Sequence, residues 1–132
     1  MSLQWLAGML DADGSIGLEK VGKSYSPFVT LASNTNPLIV EEVTRIAEQE
    51  GWKHHILYEK PRKNAKECWQ IRAKGKKATM PILSTLAPLL VGKQAQARLL
   101  MEWCEGPKRR TSLTDRDVEI VDNVRALNKT GL

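Results

Sequence analysis

The periodicity of hydrophobic and polar residues changes several times along the chain, and each change predicts a new element. Residues 3–13 predict a short helix that ends at Gly14, because glycine is favoured just after a helix C-terminus. From Ser15 apolar and polar residues alternate, and they alternate again near residues 28–32. Alternation of this kind is typical of strands, so the two segments predict a hairpin.

The rest of the chain adds one more hairpin and several helices. Asn36-Pro37 predicts the start of a helix, and strands are predicted over 53–59 and 67–73. An apolar helix is predicted from Pro81 through Leu90, and another helix over 93–105. The last predicted helix begins at Thr114, with Asp117 at capping-box spacing. This order predicts an α+β fold with a four-stranded antiparallel sheet, buried by helices on one face and free on the other. We expect one domain over residues 1–132, with a core over 1–107 and a basic linker and C-terminal helix over 108–132.

The bulk composition is that of a globular protein. Hydrophobic residues make up 42% of the 132, and no apolar run approaches a membrane span, so no membrane partner is expected. Cys68 and Cys104 are interpreted as reduced, buried thiols rather than as a disulfide or a metal site. His54 and His55 are interpreted as a surface pair, because the chain has no third histidine to complete a metal site.

Charge is distributed unevenly along the chain, whose net charge is +5. Residues 2–50 carry three cations against seven acids, whereas residues 53–77 carry nine against two. Such asymmetry suggests a surface for a polyanion, of which nucleic acid is the usual one. A solvated basic loop would give the same count, so charge alone leaves both interpretations open.

Residues 6–14, LAGMLDADG, carry the most informative pattern. Gly8 and Ala12 lie four apart and form a smooth groove on one helix face, where another helix backbone can approach closely. Asp11 and Asp13 lie at the C-terminal end, where the helix dipole disfavours carboxylates. Acids placed there need a cation or a specific hydrogen-bond donor.

This segment resembles the signature of the LAGLIDADG homing endonucleases: seven of nine letters match, and the two departures, Met9 and Leu10, stay apolar. Residues 86–97 resemble the family's K-Q-x-Q-A segment, with Lys93 as its lysine, and residues 121–128 are similar to the C-terminal helix of the single-motif, homodimeric branch. The likeness covers almost the whole chain and implies an αββαββα endonuclease fold with extra C-terminal helices. It also implies site-specific, metal-dependent hydrolysis of a long double-stranded DNA target.

The resemblance implies a role for each residue of the reaction centre. Asp13 and the backbone carbonyl of Ala12 would hold Mg²⁺, with Mn²⁺ a plausible substitute and Ca²⁺ binding without efficient cleavage. Lys93 would stabilise charge on the phosphate or order the surrounding water. Asn34 is the candidate for positioning a metal-bound water, with Ser33 as its rival. Asp11 would cap or support the interface rather than bind metal.

One motif per chain implies a homodimer acting on a pseudo-palindromic site, with DNA as the partner rather than a small-molecule substrate. The expected interface residues are Leu6, Ala7, Gly8, Asp11 and Ala12. The free sheet face is expected to enter the major groove. Its outward residues, by alternation, are Ser15, Glu19, Thr30, Gln70 and Arg72, with Lys23 and Ser26 beside the turn. In the basic loop over 60–66, Lys60, Arg62 and Lys63 are expected to meet phosphates.

Other functions remain open on the same pattern. An RNA maturase would keep the fold while its cleavage centre decays, and a DNA-binding regulator would use the scaffold without catalysis. A plain interaction domain would show weak salt dependence of duplex binding. We expect an intracellular protein, of a bacterial cytoplasm or an organelle, that is free-standing or intron-encoded.

Overall fold

The computed structural model describes residues 2–60, 66–106 and 112–130. The elements are helix α1 (Ser2–Asp13), strands β1 (Ser15–Val21) and β2 (Ser24–Asn34), helix α2 (Pro37–Gln49), strands β3 (His55–Glu59) and β4 (Cys68–Lys74), and helices α3 (Lys76–Leu86), α4 (Gln94–Glu105) and α5 (Asp115–Thr130), with a 3₁₀ turn over Ala87–Leu89. This order confirms the predicted α+β class and the αββαββα sequence of elements followed by further helices.

The four strands form one antiparallel sheet in the order β1-β2-β4-β3. Ile16 lies opposite Val29, and Val29 lies opposite Ala73, and none of these side chains is more than 1% exposed. They mark the face that packs against the helices. The β1–β2 connection is a two-residue turn in which Gly22 takes a positive φ of 60°, as tight hairpin turns require.

A bulge in β2 breaks the simple alternation. The register shifts between Thr30 and Ala32, so Leu31 is an extra residue, and Leu31 and Ala32 are both fully buried. Ala32 lies opposite Ile71 on the core face, and Ser33 therefore returns to the outer face opposite Gln70.

The core lies between the sheet and the helices. Large side chains from four helices, among them Leu6, Ile46, Leu83 and Leu100, are at most 1% exposed and form one cluster with the inner sheet face. Burying a side chain of this size stabilises the fold by about 1.5–3 kcal/mol. The core thereby fixes how α1 and α4 lie against the sheet.

Helix α5 packs on α4 through a second cluster, formed by Trp103, Ile120, Val121 and Val124. Its N-terminus is a capping box in which Thr114 and Asp117 each accept a hydrogen bond from the other's backbone N–H, at 3.1 and 3.0 Å. Thr114 and Asp117 therefore cap the helix, as their spacing predicted. Residues 108–111, in the basic linker predicted before this helix, lie outside the described residues.

The prediction that Pro81 starts a helix is wrong. Helix α3 begins at Lys76 and contains Pro81 in its interior. Proline there removes one backbone hydrogen bond, but Thr79, Ile82 and Leu83 of this helix are completely buried in the core. Core burial offsets the cost. The helix also ends at Leu86 rather than continuing through Leu90, because the chain enters the 3₁₀ turn containing Pro88.

Cys68 and Cys104 are not in disulfides, and each is half-buried rather than fully buried as expected. Cys68 Sγ lies 3.3 Å from Ser33 Oγ on the outer sheet face, and Cys104 Sγ lies 3.7 Å from Thr79 Oγ1. None of the helices in the described ranges is long and apolar enough to cross a bilayer.

Candidate active site

The C-terminal end of α1 lies directly against β2, and Gly14 makes this approach possible. A Cβ atom at Gly14 would lie 2.4 Å from the Thr30 carbonyl oxygen and 2.5 Å from Leu10 Cδ1. Both distances are far too short for any side chain. The Gly14 N–H instead closes the helix on the Leu10 carbonyl at 3.0 Å. The glycine of the motif therefore sets where the two aspartates lie relative to the sheet.

Asp13 is exposed at this end and pairs with Asn34, the last residue of β2. Asn34 Nδ2 donates to Asp13 Oδ2 at 2.8 Å, and Asn34 Oδ1 accepts from the Asn36 backbone N–H at 2.9 Å. The backbone bond fixes the amide so that its NH₂ group faces the carboxylate. Ser33, the rival candidate, bonds Cys68 on the outer sheet face and is not beside Asp13.

Asp11 binds a different part of the chain. Its carboxylate accepts from the backbone N–H of Val91 at 2.8 Å and of Lys93 at 2.9 Å, in the segment between the 3₁₀ turn and α4. Lys93 Nζ in turn donates to the Asp11 carbonyl oxygen at 2.6 Å. The Lys93 ammonium thus lies at the C-terminal end of α1, where a cation is electrostatically favoured. Asp11 was expected either to cap or to support the interface. Within this chain its carboxylate acts as a cap for the backbone N–H groups of Val91 and Lys93.

Asp11, Asp13, Asn34 and Lys93 together form what we call the carboxylate cluster. Asp13 Oδ1 has no hydrogen-bond partner among the described residues, and the Ala12 carbonyl belongs to the last helical turn, where carbonyls lack intrahelical partners. Carboxylate and carbonyl oxygens are the ligands that Mg²⁺ prefers. Within the described ranges, no group of three or more His, Cys, Asp or Glu residues could hold a metal. A cation at this end of α1 would therefore need ligands beyond one Asp13.

Helix α1 presents only part of its predicted interface. Gly8 and Ala12 are exposed, and a Cβ atom at Gly8 would meet nothing within 4 Å. Trp5, which was not among the predicted residues, is 38% exposed on the same side. Leu6 and Ala7 are buried in the chain's own core, at 0% and 1% exposure, so they have no surface to offer a second copy. The expectation for these two is wrong because they face the opposite side of the helix.

The outer sheet face carries the residues predicted to face DNA, namely Ser15, Glu19, Ser26, Thr30, Gln70 and Arg72, by their pairing in the sheet. Lys23 is exposed in the β1–β2 turn. Thr30 is only 4% exposed, so little of its surface is available to a ligand, contrary to expectation. Its neighbours in the sheet cover it.

An aromatic residue that alternation did not single out organises this face. The Phe28 ring lies over Gly17, whose Cβ position is 2.9 Å from a ring carbon, and the Arg72 guanidinium carbon lies 4.2 Å from the ring centroid. Cation–π stacking holds the Arg72 side chain close to the sheet, so that it is only 17% exposed. The sequence could have shown that Phe28 faces outward, because it lies two residues from Thr30 and therefore on the same face of the strand. A large apolar residue is, however, ordinarily assigned to the inner face.

Acidic side chains pair with the polar residues of the outer sheet face. Arg72 Nη2 lies 3.4 Å from Glu19 Oε2, Lys74 Nζ lies 3.8 Å from the same oxygen, and Gln70 Nε2 donates to Glu59 Oε1 at 2.7 Å. Glu59 was missed because outward residues were predicted only for the later strand of the second hairpin. Lys60 is exposed just after β3, whereas Arg62 and Lys63 lie outside the described residues.

The adjacent histidines are separated in their environments. His54 is half-buried, and its Nδ1 lies 2.8 Å from the Trp52 carbonyl oxygen. His55 is exposed at the start of β3, opposite Arg72. Partial burial, together with the nearby positive charges of Lys74, Arg72 and His54, holds the pKa of His55 below its usual value. Burial is the largest cause of this shift, and the three neighbouring cationic side chains add to it.

No protein-family model and no curated protein matches this chain. Solved structures do match it. One is the homing endonuclease I-CvuI in complex with the I-CreI target in the presence of 2 mM Mg, with the DNA not cleaved; it is 20% identical, with a TM-score of 0.58 over 93% of this chain and 94% of that one. Another is I-CvuI with its own target in the presence of 2 mM Ca, 20% identical, with a TM-score of 0.60 over 96% and 92%. The chain therefore has the homing-endonuclease fold, which confirms the sequence resemblance at the level of fold.

Proposed function

We propose that this chain is one subunit of a homodimeric, divalent-metal-dependent endonuclease that cuts a specific double-stranded DNA site. The observation that carries the proposal is the carboxylate cluster. An exposed carboxylate with one unpartnered oxygen, a fixed amide and a fixed ammonium come from three separate segments to the end of α1. The structural neighbours support a DNA substrate, because both are homing endonucleases in complex with DNA targets.

Asp13 and the Ala12 carbonyl are the groups that would hold the metal. Their oxygen chemistry suits Mg²⁺, with Mn²⁺ as a substitute and Ca²⁺ as an ion that binds without efficient cleavage. When bound, a divalent cation supplies charge stabilisation for the phosphate and activates water. One Asp13 carries one negative charge, so a complete site draws its second carboxylate from a second copy of the chain.

The chain's own residues have defined tasks in this proposal. Asn34 holds Asp13 through Oδ2 and leaves Oδ1 free, which orients the carboxylate for a ligand. Lys93 carries a positive charge that is anchored to α1 rather than free to rotate, and a fixed charge stabilises a developing phosphate charge without reorganising first. Asp11 positions Lys93 by binding the backbone on either side of Gly92.

The dimer would form along the exposed side of α1. Gly8 lets the partner backbone approach closely, and Trp5 and Ala12 add apolar surface on the same side. Two such helices related by a twofold axis would bring the Asp13 carboxylates together. A symmetric pair then reads two half-sites, so the DNA target is pseudo-palindromic.

Sequence reading would fall to the outer sheet face. A two-stranded ribbon fits the major groove, where arginine pairs with guanine and glutamine with adenine through two hydrogen bonds each. Arg72 and Gln70 lie on adjacent outer positions of β4, with Ser15, Glu19 and Ser26 on the neighbouring strands. Lys60 and the other basic residues of the 60–66 loop would meet phosphates.

The test is a cleavage selection on self-palindromic duplexes with a randomised half-site, run in Mg²⁺ and in EDTA, with sequencing of the cut ends. The parent protein should cut one related set of sequences in Mg²⁺ alone. Asp13→Asn keeps the side-chain volume but removes the charge, so it should retain the same duplexes without cutting them.

Two outcomes would replace the proposal. Specific duplex retention without cutting by the parent protein would indicate a DNA-binding regulator. Absence of both cutting and duplex retention, with binding to structured RNA, would indicate a maturase. Equal cutting by Asp13→Asn and the parent would remove Asp13 from the reaction centre.

A further inference from the structure

A basic cavity lies where β3 begins, β4 ends and α3 begins. It has a volume of about 570 Å³, and its lining includes the residues Lys53, His54, His55, Lys74, Lys76 and Lys77; none of the described residues that line it is acidic. Four lysines around one cavity form a positive cluster. Such a cluster costs free energy through mutual repulsion unless an anion occupies it.

The positive charge of the basic cavity is only partly neutralised within the chain. Lys74 has a distant ion pair with Glu19, at 3.8 Å, and Lys76 Nζ donates to the Gly106 carbonyl at 3.1 Å. Lys53 and Lys77 are exposed and form no ion pair with any residue that the structure describes.

The cavity floor adds to this attraction for anions. Gly75, with a φ of 89°, is the N-cap of α3 and gives it no side-chain cap, and the first helical turn contains no acid. Lys76 and Lys77 occupy the first two positions, where the dipole disfavours cations. Ala73 and Ala78, which are 1% and 8% exposed, leave room above the helix end.

The basic cavity opens at the rim of the outer sheet face. Lys74 shares the outward parity of Arg72 and lies opposite Phe28, and His55 lies opposite Arg72 itself. Phe28 is six residues along β2 from Asn34, which at about 3.4 Å per residue is roughly 20 Å. A duplex following the sheet from Asp13 would therefore pass the cavity about six base pairs away, at about 3.4 Å per base pair.

We propose that this cavity binds a backbone phosphate of the DNA duplex, about six base pairs outward from the carboxylate cluster. The proposal rests on the DNA-binding function proposed above and adds a site that fixes register without reading sequence. The phosphate is held by Lys53 and Lys77, with Lys74 adding positive charge nearby.

The experiment compares two double variants of the full chain. Lys53→Gln/Lys77→Gln removes two charges from the cavity, and Arg98→Gln/Lys129→Gln removes two exposed charges from α4 and α5. Binding of a mixed-sequence duplex is measured by fluorescence anisotropy between 50 and 300 mM NaCl. Each lost phosphate contact lowers the magnitude of the slope of log K against log salt by about 0.9, so the cavity variant, which loses one such contact, should lose about 0.9 in slope. The control should match the parent.

A second measurement places the contact. Single uncharged methylphosphonates are stepped along the parent's selected cleavage site. The proposal is supported if a methylphosphonate about six base pairs from the cut weakens duplex binding by the parent. The same methylphosphonate should not weaken binding by the cavity variant any further. Equal slopes for the two double variants would overturn it while leaving the endonuclease intact. A parent that neither binds nor cuts duplexes would instead remove the function on which it rests.

Discussion

The carboxylate cluster and the outer sheet face are both polar, but different kinds of partner hold them. In the carboxylate cluster most bonds involve the backbone: Asp11 accepts from two backbone N–H groups, Lys93 donates to a carbonyl and Asn34 accepts from Asn36. On the outer sheet face Arg72 pairs with Glu19 and Gln70 with Glu59, side chain to side chain.

This difference has a physical consequence. A backbone partner stays in place when neighbouring residues are substituted, whereas a side-chain partner can rotate away or be replaced by a base. The carboxylate cluster is therefore held in one geometry, which the catalysis proposed for it would require. In the proposed function, the outer sheet face could exchange its internal side-chain partners for DNA.

The largest expected effect is on the rate of cutting. Lys93→Met removes the ammonium while keeping the side-chain length, so single-turnover cleavage in Mg²⁺ should fall about 10²–10³-fold, the usual loss for one electrostatic stabiliser. Lys129→Met, on α5, is the matched control and should cut like the parent. A Lys93→Met protein that cuts at the parental rate would show that the ammonium is only a structural cap on α1.

The next effect is on stability. Asp11→Ala leaves the N–H groups of Val91 and Lys93 without their charged acceptor, so the free energy of unfolding in urea should fall by about 1–3 kcal/mol. Asp122→Ala, at an exposed position on α5, should change it by less than about 0.5 kcal/mol. If Asp11→Ala and Asp122→Ala lowered the free energy of unfolding by similar amounts, the backbone contacts of Asp11 would not stabilise the fold more than an exposed surface residue does.

A smaller effect is expected on the outer sheet face, and on specificity rather than on folding. Gln70→Ala should relax the base preference at one position of each half-site by about 1–3 kcal/mol, read from the sequenced cut ends. Stability should stay within about 0.5 kcal/mol of the parent, because the Gln70–Glu59 bond is exposed. Gln49→Ala, on α2, should change neither quantity. A large stability loss from Gln70→Ala would contradict the idea of exchangeable partners.

The smallest effect is a pH dependence. Burial and the charges of Lys74, Arg72 and His54 lower the pKa of His55, so the unfolded chain takes up this proton at a higher pH than the folded chain does. The contribution of His55 is therefore fully present above the unfolded pKa of about 6.5, and it is lost as pH falls toward the folded pKa. Histidine NMR titration should show the lowered pKa, and His55→Asn should remove this part of the pH dependence. A measured His55 pKa at or above 6.5 would show that burial and the neighbouring charges do not disfavour its charged form.

Much of the fold could be predicted because local patterns carry it. Alternation located both hairpins, and the caps at Asn36 and Thr114 located two helix starts, since these signals involve neighbours within four residues. The start of α3 could not be found in this way. Pro81 was interpreted as a start signal, but burial of the preceding turn against the core allows the proline to lie inside the helix.

The candidate site divides along the same line. The motif singled out Asp13, and the segment around Lys93 pointed to a lysine near it, but only the structure placed Lys93 Nζ on the carbonyl of Asp11, 82 residues away. Leu6 and Ala7 were assigned to an interface because the motif gives no sign of which side of α1 the core covers. The bulge at Leu31 likewise left Asn34 and Ser33 as rivals until their partners were known.

The sequence by itself determined the class of fold, the order of its elements and the residue types of the candidate site, because periodicity, caps and a contiguous motif are properties of short segments. The tertiary structure alone decided which side of α1 is free, which of two neighbouring residues meets Asp13, and that lysines from β3, β4 and α3 surround one cavity. These features depend on packing between segments far apart in the chain. Local patterns do not encode which distant backbone will supply a hydrogen bond or cover a side chain.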